Sequence, residues 1–226
     1  MDQVPMYVSL VLVLTTLLGA FIFYSATKNS RQSLMIILIW LAIQSAIALT
    51  GLYQVTKESL PWPILMIAPP MLLIIGMFMS KKGTHFIDGL NLKYLTLLHI
   101  IRIPVEIVLY WLCFYKTVPV LMTFEGRNFD ILSGITAPLI YYFGFIKKSI
   151  SKKVILVWNF ICIGLLLNIV INAILSIPLP FQKFGFDQPN IAVLYFPFVW
   201  LPCFIVPVVL FAHLSAIRLL RMKEYK

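Results

Sequence analysis

Acidic residues are scarce in this chain: 8 Asp and Glu among 226 residues, against 18 Lys and Arg. Cysteine and histidine are rarer still, at 3 each. Cys113, Cys162 and Cys203 fall far apart inside apolar runs. That excludes the close thiol pairs of zinc and redox motifs and leaves them as small buried hydrophobes. No His–x–x–x–His or His–Glu–x–x–His spacing occurs, so a helical zinc site has no support. There is no glycine-rich phosphate loop, no Gly–x–Ser–x–Gly elbow and no twin acidic motif of a prenyl-transfer site. Residues 195–217 contain no lysine, which excludes a Schiff base in the last apolar run.

What is present is apolar. The chain is 61% hydrophobic and 12% charged, far from soluble-domain composition. A bilayer core needs roughly 20 apolar helical residues, and seven runs of about that length appear: 6–26, 34–54, 63–80, 92–115, 131–146, 154–176 and 195–217. The fold class expected is an all-α polytopic membrane protein with seven transmembrane helices, in one transmembrane domain over residues 1–226. The first run follows Asp2 with no Lys or Arg before it and exceeds the apolar core of a secretory signal, so it reads as a retained span.

The net charge of +10 lies in short clusters between apolar runs, which points to a membrane surface and not to nucleic acid. Taking alternate connections, one set holds Lys28, Arg31, Lys81, Lys82, Lys93, Lys147, Lys148, Lys152, Lys153, Arg218, Arg221, Lys223 and Lys226. The other holds Lys57, Lys116, Arg127 and Lys183, with most of the acids: Asp2, Glu58, Glu125, Asp130 and Asp187. Cytoplasmic loops retain Lys and Arg, so the N-terminus is expected outside and the C-terminus in the cytoplasm, in an inner or plasma membrane. The two longer connections, 116–130 and 177–194, then lie outside and are expected to form a lid over the bundle.

Prolines interrupt the runs at Pro69, Pro70, Pro104, Pro138, Pro202 and Pro207, with Pro197 expected at a helix start. Each interior proline frees the carbonyl four residues earlier, which in lipid must find another partner. Kinked helices around a cavity, with the carbonyls of Ile100 and Cys203 lining it, are one reading. Helices that bend merely to pack are the other.

In the fourth run His99, Arg102, Glu106 and Tyr110 recur every three or four residues and share one helical face. Arg102 lies roughly 15 Å above the inner end of that span. A charge facing lipid there costs at least about 2.5 kcal/mol, so the face is expected to point inward. Arg102 and Glu106 either pair with each other as packing or hold a ligand, Arg102 taking an anionic group and Glu106 acting as its proton-sensitive partner. Glu125 and Arg127 are expected at the outer mouth, and Asp130 suits an N-cap. Gln44, Ser45, Asn159, Asn168 and Asn172 are expected to bond across helices. His99 and His213 fall at similar depth, which makes them candidates to share a haem b iron or, with His85 and Asp88, a metal.

The leading functional reading is therefore a multi-pass protein that binds or transports a small solute or lipid-like molecule in a proline-kinked polar cavity, without a cofactor. Arg102, Glu106, Tyr110, Glu125 and Arg127 are its candidate ligand-binding residues, and the bilayer and the ligand its partners. A haem- or metal-dependent enzyme or electron carrier on His99 and His213 is the alternative. A structural subunit, paired with a second copy or another membrane protein, is the third.

Overall fold

The computed structural model describes residues 1, 3–55 and 62–222, and among them every regular element is a helix. Asp2, Lys57, Glu58, Lys223 and Lys226, which enter the charge comparison above, lie outside the described residues. The helices are α1 Met6–Ala26, α2 Arg31–Leu49, α3 Ile64–Met79, α4 Lys81–Asp88, α5 Leu92–Leu98, α6 Arg102–Phe114, α7 Ile131–Tyr141, α8 Lys152–Ile174 and α9 Val206–Arg221. A 3-10 turn, His99–Ile101, joins α5 to α6, and π turns extend α7 to Ile146 and begin α9 at Leu201.

Polar side chains start the helices where the apolar runs begin. Ser30 accepts from the Ser33 N–H, Asn91 from Lys93 and Ser151 from Val154, each filling a donor that the first turn leaves open. Ser80 caps α4 through the Gly83 N–H and turns the chain through 90° from α3. Gly83 permits that corner, since a Cβ there would lie 2.2 Å from the Met77 carbonyl. The expected second run, 34–54, ends early at Leu49, because Gly51 takes a left-handed conformation at φ +78° and starts a short 3-10 turn.

Five helical rods, counting α5–α6 as one and the π turn with α9, are long and apolar enough to cross a bilayer among the described residues. Ile64–Met79 and Ile131–Ile146 are apolar but shorter. The outer surface is apolar: Leu14, Phe21, Ile36, Ile39, Val157 and Ile161 are all largely exposed. A perimeter of this kind suits lipid and not water, so the chain is a membrane-embedded helical bundle.

The rod Leu201–Arg221 is 78% buried and forms the axis, whereas α2 is only 17% buried and lies at the edge. Connections that carry basic residues gather at one end. Asn91 N–H donates to the Ala26 carbonyl (2.9 Å), Arg218 pairs with Asp88, and Arg221 lies over Phe160. These contacts join the ends of α1, α4, α9 and α8 that carry the basic residues. At the other end Tyr7 packs edge-on against Trp111 at 5.0 Å.

The peripheral helix α2 has a defined task. Pro69 frees the Leu65 carbonyl and Pro207 frees that of Cys203. Gln44 Nε2 donates to the first (3.4 Å) and Trp40 Nε1 to the second (2.9 Å), while Tyr53 OH donates to Gln44 Oε1. Two proline breaks in α3 and at the start of α9 are thus splinted by side chains of one neighbouring helix.

Candidate functional site

The expected inward face of the fourth run is buried: His99, Arg102 and Glu106 are at most 2% exposed, and Tyr110 is half-buried. The side chains around it differ from the i, i+4 expectation. Arg102 pairs with Asp130, 28 residues away, and not with Glu106. Its Nε donates to Asp130 Oδ2 at 2.6 Å and its Nη2 to Oδ1, a bidentate fork between two nearly fully buried groups. Asp130 therefore does not cap α7 with its side chain; no such hydrogen bond forms.

The close approach of α7 to α6 makes this pair. One turn past Asp130, Gly134 lies so near Ile103 that a Cβ would meet its Cγ1 at 2.8 Å and its backbone nitrogen at 3.0 Å. With no side chain at Gly134, the start of α7 closes on Arg102.

The network continues from the guanidinium. Arg102 Nη1 lies 3.1 Å from His213 Nε2, and because arginine only donates, that nitrogen accepts. The other ring nitrogen, Nδ1, then carries the proton and donates to Asn159 Oδ1 at 2.8 Å. Asn159 Nδ2 donates to the Ile155 carbonyl, which fixes the amide's orientation. Arg102 Nη2 also reaches the Cys162 carbonyl at 3.4 Å. Four of the five guanidinium protons are engaged, so an anionic ligand at Arg102 has to compete with Asp130.

Glu106 is held separately. Asn128 Nδ2 lies 2.7 Å from each of its oxygens and 3.0 Å from the Met122 carbonyl, while Asn128 Oδ1 accepts from the Asp130 N–H. Asn128 thus bridges the connection between α6 and α7 to both acids. The two ion pairs found among the described residues, Arg102–Asp130 and Arg218–Asp88, leave Glu106 without a counterion.

A cavity of about 190 Å³ lies beside this network. Helices α3, α6, α8 and the α9 rod wall it, and four polar side chains interrupt an otherwise apolar lining: Arg102, Glu106, Asp130 and Asn190. The π turn that starts the α9 rod supplies Leu201, Pro202 and Ile205, so a proline-broken helix does line the space. Neither Ile100 nor Cys203 lines it. From the two long connections, Met122, Asn190 and Val193 close it, and those connections are tied together by hydrogen bonds from Ile191 and Ala192 N–H to the Thr117 carbonyl. Leu167 lines the cavity while 45% exposed, so the space reaches the bundle perimeter beside α8.

The remaining candidates lie elsewhere. Glu125 and Arg127 are exposed and do not line the cavity; Arg127 sits over the Phe184 ring, and its carbonyl accepts from Asn168. Tyr110 stacks on Phe124 at 5.0 Å.

His99 and His213 do meet, as the matched depths suggested, but face to face: the rings stack 3.7 Å apart at 11°. A haem iron held between two histidines needs both nitrogens aimed at it from opposite sides. Stacked rings do not aim that way, and both nitrogens of His213 already have partners, so the pair does not fit a haem axis. Among the described residues no group of three or more His, Cys, Asp or Glu is gathered for a metal, and Asp88 is engaged by Arg218.

Residues 59–221 match the family described as Domain of unknown function (DUF8737). That is well over half of the chain, and the chain belongs to this family. No curated protein and no solved structure matches it. The matched region holds the whole buried network and every cavity residue, whereas α1 and the splinting helix α2 precede it.

Proposed function

We propose that this chain is a seven-span protein of the inner or plasma membrane, N-terminus outside, that binds a small apolar or lipid-like molecule in its cavity and passes it between bilayer and site. The observation that carries this reading is the cavity, apolar but for four polar side chains and extending to the bundle perimeter at Leu167. A molecule resident in lipid enters such a space without crossing water, and an engineered cavity of about 150 Å³ already takes benzene. The Arg102–Asp130 fork and its His213 and Asn159 partners serve as a rigid polar wall that holds α6, α7, α8 and α9 around the space.

Fluorine NMR with a trifluoromethyl-labelled octanol tests the reading in nanodiscs. Expected is one saturable bound signal per chain, lost in Val170→Trp, which fills the cavity. An unchanged signal in that variant, or none in either protein, overturns it. Orientation is tested on intact cells with a membrane-impermeant maleimide: Glu125→Cys is expected to react above the native background and Lys148→Cys only after lysis.

A further inference from the structure

We propose that the ligand of this cavity carries a cationic amine on an apolar body, with Glu106 as its counterion and the side-chain oxygen of Asn190 as its second acceptor. This rests on the cavity being a ligand site, as argued above.

Charge balance is the first support. Arg102 and Asp130 neutralise one another, which leaves Glu106 as the remaining acid in the cavity wall. It is 1% exposed, and its contact with Asn128 supplies a hydrogen bond but no charge. An ionised carboxylate at this depth requires a cation beside it. A carboxylate has about four acceptor positions, so the shared bond from Asn128 leaves room for another donor.

Asn190 is the second, independent support. It is fully buried and lines the same cavity. Its Nδ2 donates to the Ala173 carbonyl at 3.2 Å, which identifies Oδ1 as the other end of the amide. That oxygen has no partner among the described residues. A buried acceptor without a donor costs about 1–3 kcal/mol, and a ligand N–H removes that cost. The polar surface offered to a ligand is therefore acceptor-rich: Glu106 and Asn190 accept, while the Arg102 donors are mostly engaged. An ammonium fits this pattern. An alcohol supplies a donor without the charge, and a carboxylate meets two acids and one occupied arginine.

The test is photolabelling in nanodiscs with three diazirine probes of equal chain length: an octylamine, an octanol and an octanoate. Labelling is read by mass spectrometry on residues 166–174 and 201–210, against the lipid-facing residues Ile36, Ile39 and Ile43 of α2 as control. Expected is about tenfold stronger cavity labelling by the amine than by the alcohol, equivalent to ~1.4 kcal/mol. Glu106→Gln is expected to lower amine labelling until the amine no longer exceeds the alcohol. Equal labelling by all three probes, or preference for the octanoate, overturns the amine assignment and leaves the cavity reading standing. Labelling of the cavity no stronger than α2 by any probe removes both. The wild-type comparison decides the matter even where the variant does not fold.

Discussion

Replacing Asp130 with Asn strands a buried guanidinium. The two side chains are 3% and 7% exposed, and removing one partner of such a pair costs about 3–5 kcal/mol because the other charge stays uncompensated. For a chain of this length each kcal/mol lowers Tm by ~2–4 °C, so the expected drop is about 6–20 °C. Glu106→Gln is the informative comparison. Glu106 makes no ion pair among the described residues, and glutamine keeps the shape and a partner for Asn128, so its expected cost is below ~1 kcal/mol. The assay is thermal unfolding in detergent followed by tryptophan fluorescence and circular dichroism. Adding Arg102→Met to Asp130→Asn is expected to recover much of the loss, since the stranded charge goes with it. A Glu106→Gln variant as unstable as Asp130→Asn refutes the charge assignment, because that is the signature of an Arg102–Glu106 pair.

Four further outcomes follow from the contacts. Trp40→Phe leaves the proline-freed Cys203 carbonyl without its donor and is expected to cost about 0.6–1.7 kcal/mol in unfolding measurements; in a Pro207→Ala background, where the helix supplies the missing N–H, that cost shrinks. Gly134→Val drives a branched side chain into Ile103 and is expected to cost about 1–3 kcal/mol, read as a lower Tm. Asn159→Leu leaves the His213 N–H unpaired and is expected to cost about 1–3 kcal/mol in the same assay. Hydrogen bonds from Arg218 hold the Asp88 carboxyl below the usual carboxylate range, so the contact between α4 and α9 stabilises above about pH 4 and is lost as pH falls through the folded value. Protection of residues 81–88 against hydrogen exchange, relative to the intrinsic rate at each pH, is expected to fall in acid in wild type and to be low at all pH values in Asp88→Asn.

The apolar runs were legible in the sequence because hydropathy over about 20 residues depends on composition alone. The inward face of the fourth run was legible for a similar reason: helical periodicity puts His99, Arg102 and Glu106 together, and lipid forbids them the outside. Helix ends were less so. The 90° corner at Ser80 depends on Gly83 passing against the Met77 carbonyl, and the early end of α2 depends on one left-handed glycine.

The partner of Arg102 was not legible, because local spacing favours Glu106, four residues on, while the actual choice depends on how closely α7 approaches α6. Gly134 was the available signal, but a glycine in an apolar run does not say which helix it faces. The carbonyls freed by prolines had the same ambiguity. Gln44 had been marked as a cross-helix amide, and it does reach Leu65; that Trp40 answers Cys203 required the packing. Asn190 carried no sequence signal, since an Asn after proline in a long connection reads as a turn residue until that connection is seen closing a cavity.

The most direct measurement of the cavity's role is anomalous diffraction from crystals of the protein pressurised with xenon, a probe that enters apolar cavities and has no preference for charge. Expected is a strong peak between α3 and α8, beside Met71, Val170 and Ile205, that disappears in Val170→Trp. Peaks confined to the lipid-facing perimeter, with none in that space, contradict the claim that this bundle encloses a binding site.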